Sequence, residues 1–352
     1  MGERHLEFRH ALNEAVRLCM EADPRVYLIG LGAPDPTGIF GSTAGLRERF
    51  GPQRVFDMPV SENAMTGVVL GSSLVGMRPV MTHMRQEFAL PAIDPIVNHA
   101  AKWHYTFGSK SAPLVLRIII GRGWGQGPQH SQSLHAWFSH IPGLKVVMPS
   151  TPHDAKGLLI SSIEDDNPVI FLEHRWLYNL HGPVPEGYYR VPLGQPKRMR
   201  QGEDVTVVAL SYMTLEAARA SEALAREGIE VDLIDLRTLS PLDDTLILES
   251  VARTGRLVVC DHATITAGFA GEIVARVCEQ VFDRLVAPPI RVAFPDCPTP
   301  TTRALSNYYY PRAPHIAAAV KRVLGRPAED PDAGVEPGDR LDVPDPSFRG
   351  PF

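Results

Sequence analysis

The 352-residue chain is 44% hydrophobic and 21% charged, the composition of a globular protein with ample apolar surface to bury, and its length suits two domains better than one. A net charge of −5 makes no electrostatic case for a nucleic-acid partner, and no run approaches the ~20 apolar residues that a membrane helix needs. Cys19, Cys260, Cys278 and Cys297 show neither CxxC pairing nor metal-ligand spacing, so reduced thiols in a cytoplasmic protein are expected.

In chain order, Met1-Gly2-Glu3-Arg4-His5 is charged, carries no apolar signal region, and lacks the Ser or Thr at position 6 that myristoylation prefers. Apolar residues at helical spacing predict a helix over 8–20, and Val26-Tyr27-Leu28-Ile29-Gly30 predicts a buried strand ending in a glycine turn. Strands are expected at 79–82, 114–120 and 169–172, with helices over 91–105 and 152–163. Such alternation implies a largely parallel sheet covered by helices. Residues 181–203 read as a linker, because Gly182-Pro183, Pro185-Glu186-Gly187 and Lys197-Arg198-Met199-Arg200 are polar, proline-bearing or basic. A second α/β pattern follows, with strands at 205–209, 231–235 and 257–261 and helices near 215–227 and 245–252. The expected organisation is therefore a domain over 1–180, the linker, a domain over 204–325, and a disordered or extended tail over 326–352.

Two segments carry chemistry. Phe56-Asp57-Met58-Pro59-Val60-Ser61-Glu62-Asn63-Ala64-Met65-Thr66-Gly67 offers one acid among small and apolar neighbours, and Gln129-His130-Ser131-Gln132-Ser133 follows the glycine run Gly121 to Gly127. Taken alone, Glu62 fits a helix-opening residue after Ser61 as well as a catalytic acid. His130, one of 13 histidines, fits a hydrogen-bonded loop residue, and Phe88 an ordinary core residue. The glycine run is neither GxGxxG nor a P-loop, and no HExxH or paired-cysteine zinc spacing occurs.

These segments together resemble the thiamine diphosphate (TPP) fingerprint of the β subunit of 2-oxo acid dehydrogenase E1 components, of the pyruvate and branched-chain type, in the transketolase-like superfamily. The likeness spans about 8–324 and includes Ala92-Ile93-Asp94-Pro95, Ile141-Pro142-Gly143-Leu144-Lys145-Val146-Val147, Ile234-Asp235-Leu236-Arg237-Thr238 and Gly268-Phe269-Ala270-Gly271-Glu272 in collinear order. It implies an α/β protein: a TPP pyrimidine-binding parallel-sheet domain followed by a smaller α/β transketolase C-terminal domain used mainly in subunit assembly.

The resemblance implies that Glu62 exchanges a proton with N1′ of the aminopyrimidine, and that Phe88 lies beside that ring. A carboxyl buried among Val60, Ala64, Met65 and Val68 would titrate above its usual range, as such a role needs. His130 corresponds to the family's active-site histidine, which handles substrate charge and assists acyl transfer to a lipoyl arm. A potassium ion on backbone carbonyls would map to Leu114, Ser162, Asp165 and Asn167. Mg²⁺ and the diphosphate need a Gly-Asp-Gly motif, whereas the chain's one Gly-Asp, Gly338-Asp339, continues with Arg340. The resemblance therefore implies an α subunit carrying that motif in an α₂β₂ heterotetramer, inactivity of this chain alone, and a lipoyl acyltransferase E2 as a further partner.

Two departures stand out. Leu31-Gly32-Ala33-Pro34 replaces the acidic residues the family usually carries there, and Thr82-His83-Met84-Arg85-Gln86-Glu87-Phe88 is more polar than the family pattern, with Trp124 added in the glycine run. If His83 and Arg85 face the cavity, they favour a substrate or acceptor with hydroxyl, carboxylate or phosphate groups. If not, they are solvated or meet a neighbouring subunit. The alternative function is a split transketolase-like or acyl-transferring TPP enzyme that delivers a two-carbon unit to a sugar or biosynthetic acceptor. A non-catalytic scaffold is the third reading, and the joint presence of Glu62, Phe88 and His130 opposes it.

Overall fold

The computed structural model describes residues 4–108, 111–123, 125–336, 338–345 and 348. Contacts within the chain gather it into two units. The first combines Met1–Ile120, Trp137–Leu193 and Thr238–Pro241; the second combines Gly121–Ala136, Gly194–Arg237 and Leu242–Phe352.

The first unit is built on a seven-stranded sheet whose spatial order is Thr238–Ser240, Lys145–Val147, Val169–His174, Val115–Ile120, Arg78–His83, Val26–Gly30 and Val55–Phe56. All neighbours are parallel except Thr238–Ser240, which runs antiparallel along one edge. Central strands of such a sheet are covered on both faces, which is why Val26–Gly30 and Val115–Ile120 are buried along their whole length. Gly30 is required where it stands, because a Cβ there would lie 2.6 Å from the carbonyl oxygen of Thr82 on the next strand. The helices Phe8–Ala22 and Pro152–Glu164 pack together, with Lys156 buried between Glu14 (2.9 Å) and the carbonyl of Pro185 (2.7 Å).

The continuous helix expected over 91–105 is instead three short pieces, a 3₁₀ turn at Leu90–Ala92, a turn of π-helix at Pro95–Ala100 and the helix Ala101–Phe107, and a further short helix, Gln86–Ala89, precedes them. Pro91 and Pro95 bring no N–H and disfavour a helical residue before them, so an unbroken ladder cannot run through both. The same region abuts Gly143, whose φ of +99° and whose virtual Cβ only 1.8 Å from the Ala101 carbonyl oxygen exclude any larger residue.

The second unit has a five-stranded sheet in the order Ile290–Phe294, Leu257–Thr264, Val205–Ala209, Val231–Asp235, Lys197–Arg200, the last strand antiparallel. Its core joins Val205, Val207, Leu233 and Val258 to Met213, Leu224, Ile316 and Val320 from helices Tyr212–Ala225 and Ala313–Val323. Asp232, fully buried on its strand, accepts from Ser250 Oγ (2.6 Å) and Arg198 Nε (2.9 Å) and pairs with Arg253, so its charge is compensated. Among the described residues no helix is long and apolar enough to cross a membrane.

Candidate active site

In the first unit, Glu62 opens the helix Glu62–Leu74, with Ser61 at the N-cap position making no side-chain cap hydrogen bond. The helix start supplies outward N–H groups and a positive dipole end, a suitable seat for a carboxylate. Asn63 Nδ2 donates to the carbonyl of Pro91 (3.0 Å), tying this helix to the turn that follows Phe88. Phe88 is half-buried in the short helix Gln86–Ala89, so the structure brings the elements of Glu62 and Phe88 together. The burial expected around Glu62 is not built within the chain: Glu62 is half-buried, and Val60 and Val68 are 81% and 56% exposed. The apolar neighbours face outward because the helix is anchored through Thr66, Val69 and Leu70 instead.

His83 ends the strand Arg78–His83 at its carboxyl end, where ligands of parallel sheets gather. Neither His83 nor Arg85 is solvated; both are 2% exposed. Burial pushes the His83 imidazole down to about 4, so it is neutral, and its Nε2 and the Thr82 Oγ1 have no hydrogen-bond partner among the described residues. Burial, with the Arg175 charge, pushes Arg85 down to about 10, and both guanidinium groups lie over the ring of Phe40, at 5.7 Å and 4.5 Å. One strand over, Arg117 forks onto Glu173 (Nε to Oε1 2.5 Å, Nη2 to Oε2 2.9 Å) and also donates to Ser42 Oγ (3.0 Å). Tyr178 donates to the same carboxylate (2.5 Å), and burial followed by the Glu173 charge holds its hydroxyl far above the usual range. At the turn after Gly30, where the family pattern would place acids, the backbone N–H of Gly32 instead donates to Asp57 (3.2 Å).

Leu114, Ser162, Asp165 and Asn167 also lie in this unit. The carbonyl of Leu114 accepts from the Val169 N–H (2.9 Å) and that of Asp165 from Arg78 Nη1 (3.1 Å). A carbonyl oxygen has two lone pairs, so each keeps one for a cation.

His130 belongs to the second unit, half-buried, with its N–H donating to the Gly127 carbonyl (3.2 Å). Its segment is pinned on both sides by groups that sequence reasoning missed. After it, His135 Nε2 meets Asp261 Oδ1 at 2.8 Å, both side chains fully buried, and Asp261 Oδ2 accepts the Ala270 N–H (3.1 Å) in the first turn of Phe269–Val281. Burial raises the Asp261 carboxyl, but the His135 charge and hydrogen bond, the Ala270 N–H and the His262 charge outweigh it and hold the group below its usual range. Before it, Arg122 is buried against Asp342 (3.1 Å) and the carbonyls of Pro300 (3.2 Å) and Thr301 (3.0 Å). The one sequence signal was a charged residue inside an otherwise small-residue run. Trp124 lies outside the described residues.

Family models for the transketolase pyrimidine-binding domain and the transketolase C-terminal domain match residues 4–181 and 194–316. Over 332 residues the chain is 44% identical to the acetoin:2,6-dichlorophenolindophenol oxidoreductase subunit beta of Cupriavidus necator, covering 91% of this chain and 98% of the relative. It is 40% identical over 316 residues to the pyruvate dehydrogenase E1 component subunit beta of Rickettsia felis, covering 90% and 97%.

The chain belongs to the family of TPP-dependent E1 β subunits.

A split-gene transketolase solved as an inactive β4 tetramer has the same fold, with a TM-score of 0.72 at 24% identity, covering 92% of this chain and 99% of that one. The first unit brings the helix that Glu62 opens against the segment that carries Phe88. Nothing in the sequence offers the Gly-Asp-Gly side of the cofactor.

Proposed function

We propose that this chain is the pyrimidine-side half of a 2-oxo acid dehydrogenase E1 component, in which Glu62, Phe88 and His130 act on cofactor and substrate and an α subunit supplies the Mg²⁺ and diphosphate site in an α₂β₂ assembly. The observation that carries it is collinear E1 β similarity over nine-tenths of the chain together with Glu62 at a helix start beside the turn of Phe88. TPP, when bound, supplies the centre that holds the electron pair released on decarboxylation. Glu62 holds and returns a proton at N1′. Phe88 would hold the pyrimidine face and exclude water from it. His130 donates to the substrate carbonyl oxygen and assists passage of the acyl group to a lipoyl-lysine disulfide, which is thereby reduced. Exposed Val60, Val68 and Val75, on and beside the Glu62 helix, support a partner that covers this face. The carbonyls of Leu114, Ser162, Asp165 and Asn167 are assigned to a potassium ion on the family resemblance, with a second lone pair on those of Leu114 and Asp165 compatible with it. Cytoplasmic residence is part of the same reading, supported by thiols without paired or ligand-type spacing.

A second reading has support of its own: the donor is a hydroxy ketone of the acetoin type, cleaved between its two oxygen-bearing carbons. The 44% relative carries that name, and Thr82 Oγ1 and His83 Nε2 are buried polar groups suited to a substrate hydroxyl. The test is to assemble the chain with an α subunit from the same genome and follow 2,6-dichlorophenolindophenol reduction with pyruvate, branched 2-oxo acids and acetoin. Turnover with a 2-oxo acid, lost on Glu62→Gln by about 100-fold or more, supports the leading reading. Turnover with acetoin alone moves it to the second, and turnover that needs a sugar acceptor, or a fully active E62Q, overturns both.

A further inference from the structure

Downstream of helix Ala313–Val323 the described residues 326–345 form neither helix nor strand, yet part of this segment is buried within the second unit. Asn307 brackets it by donating from Nδ2 to the Asp339 carbonyl (3.0 Å) and accepting the Leu341 N–H on Oδ1 (3.1 Å). Val343 and Phe348 are buried. Just before Val343, Asp342 turns inward, with its Oδ2 accepting from Ser306 Oγ (2.9 Å) and facing Arg122 Nη2 (3.1 Å), while Arg303 Nε stands 3.4 Å from Oδ1.

Arg122 is the second residue of the glycine run that leads to His130. Its Nη1 donates to the carbonyl of Pro300 and its Nη2 also to that of Thr301, and at Gly127 a Cβ would lie 2.2 Å from Thr301 Oγ1, so the run is pressed onto residues 300–301 at both ends. Between those points Gly123 N–H donates to Gln126 Oε1 (2.8 Å), and beyond them His130 N–H donates back to the Gly127 carbonyl (3.2 Å). A guanidinium buried to 1% exposure stays there only while its charge is compensated, and Asp342 supplies the carboxylate. The Asp342 side of the contact lies downstream of the segment that the C-terminal domain model matches. The C-terminal domain model stops at 316, and a relative aligned over 98% of its own length covers 91% of this chain.

We propose that residues 339–345 are a positioning strap, acting through the Asp342–Arg122 pair to hold the glycine run and thereby His130 in place. This rests on the catalytic reading of His130, whereas the strap itself can be read without turnover. The test uses the full-length chain assembled with its α subunit, comparing Asp342→Asn with the parent by hydrogen exchange and by steady-state kinetics. D342N is expected to speed amide exchange across 121–130 by about tenfold or more while the strand Leu257–Thr264 keeps its protection. It is expected to lower kcat about 10- to 100-fold with KM for the donor within about twofold, since a misplaced group weakens chemistry more than binding. Asp342→Glu should recover part of the loss. Where D342N does not assemble, Asn307→Ala frees the bracket while keeping the ion pair, and the same exchange pattern is expected at smaller amplitude. Unchanged exchange over 121–130, exchange raised uniformly across the unit, or faster loop exchange with unaltered kcat each overturns the strap. An inactive parent assembly whose loop still loosens in D342N instead overturns the role given to His130.

Discussion

Replacing Asp261 by Asn removes the charge that holds the far side of the His130 segment while keeping the shape of the side chain. Asp261 and His135 are fully buried 2.8 Å apart, and the second carboxylate oxygen accepts an otherwise orphaned helix N–H from Ala270. Breaking one partner of a buried pair costs ~3–5 kcal/mol, and a unit of this size loses ~2–4 °C per kcal/mol, so D261N should melt roughly 6–20 °C below the parent. The sign of the pH effect follows from the direction of the shift. The folded carboxyl titrates below its unfolded value of ~3.9, so its contribution is complete above that pH and fades as the pH falls through the folded value. D261N should therefore differ most from the parent above about pH 4, with the two acid-unfolding curves converging below it. Thermal unfolding by circular dichroism between pH 3 and 8 reads both effects. A D261N chain that melts within about 1 °C of the parent at pH 7, or a gap that widens with acid, would refute the role given to this pair.

Glu173→Gln leaves Arg117 buried without its counter-charge and should cost ~3–5 kcal/mol, whereas Arg117→Met with Glu173→Leu should cost less, because no charge is left uncompensated. Denaturant titration of both variants decides it, and a double variant less stable than E173Q contradicts the account. His83 is neutral in the fold and gains a proton only near pH 4, while the unfolded imidazole does so near 6.5. Its contribution is thus complete above 6.5 and falls by roughly 3 kcal/mol as the pH drops towards 4, a slope that His83→Phe should remove. Equal acid slopes for H83F and the parent would sink this assignment.

Much of the architecture was legible in the residues because parallel sheets bury both faces of their strands, leaving unbroken apolar runs such as Val115–Ile120 and Val205–Ala209. Helix continuity near Pro91 and Pro95 was not, since apolar spacing continues through a ladder that two missing N–H groups interrupt. Glu62, Phe88 and His130 could be singled out because their motifs keep fixed neighbours in the chain. Asp261, Asp342 and Arg122 could not: each meets its partner across a sequence separation that no local pattern encodes.

Composition and periodicity by themselves determined an α/β chain, and the resemblance of its collinear motifs to a known family implied the E1 β type, because these signals depend on nearest neighbours along the strand, helix or loop. Which way side chains turn is a different matter. That Val60 and Val68 face outward beside Glu62, that His83 is buried and neutral, and that an acid near the carboxyl end compensates an arginine in the His130 run were decided only by tertiary packing. Burial and charge compensation depend on what lies across space, and the chain's order alone does not hold that.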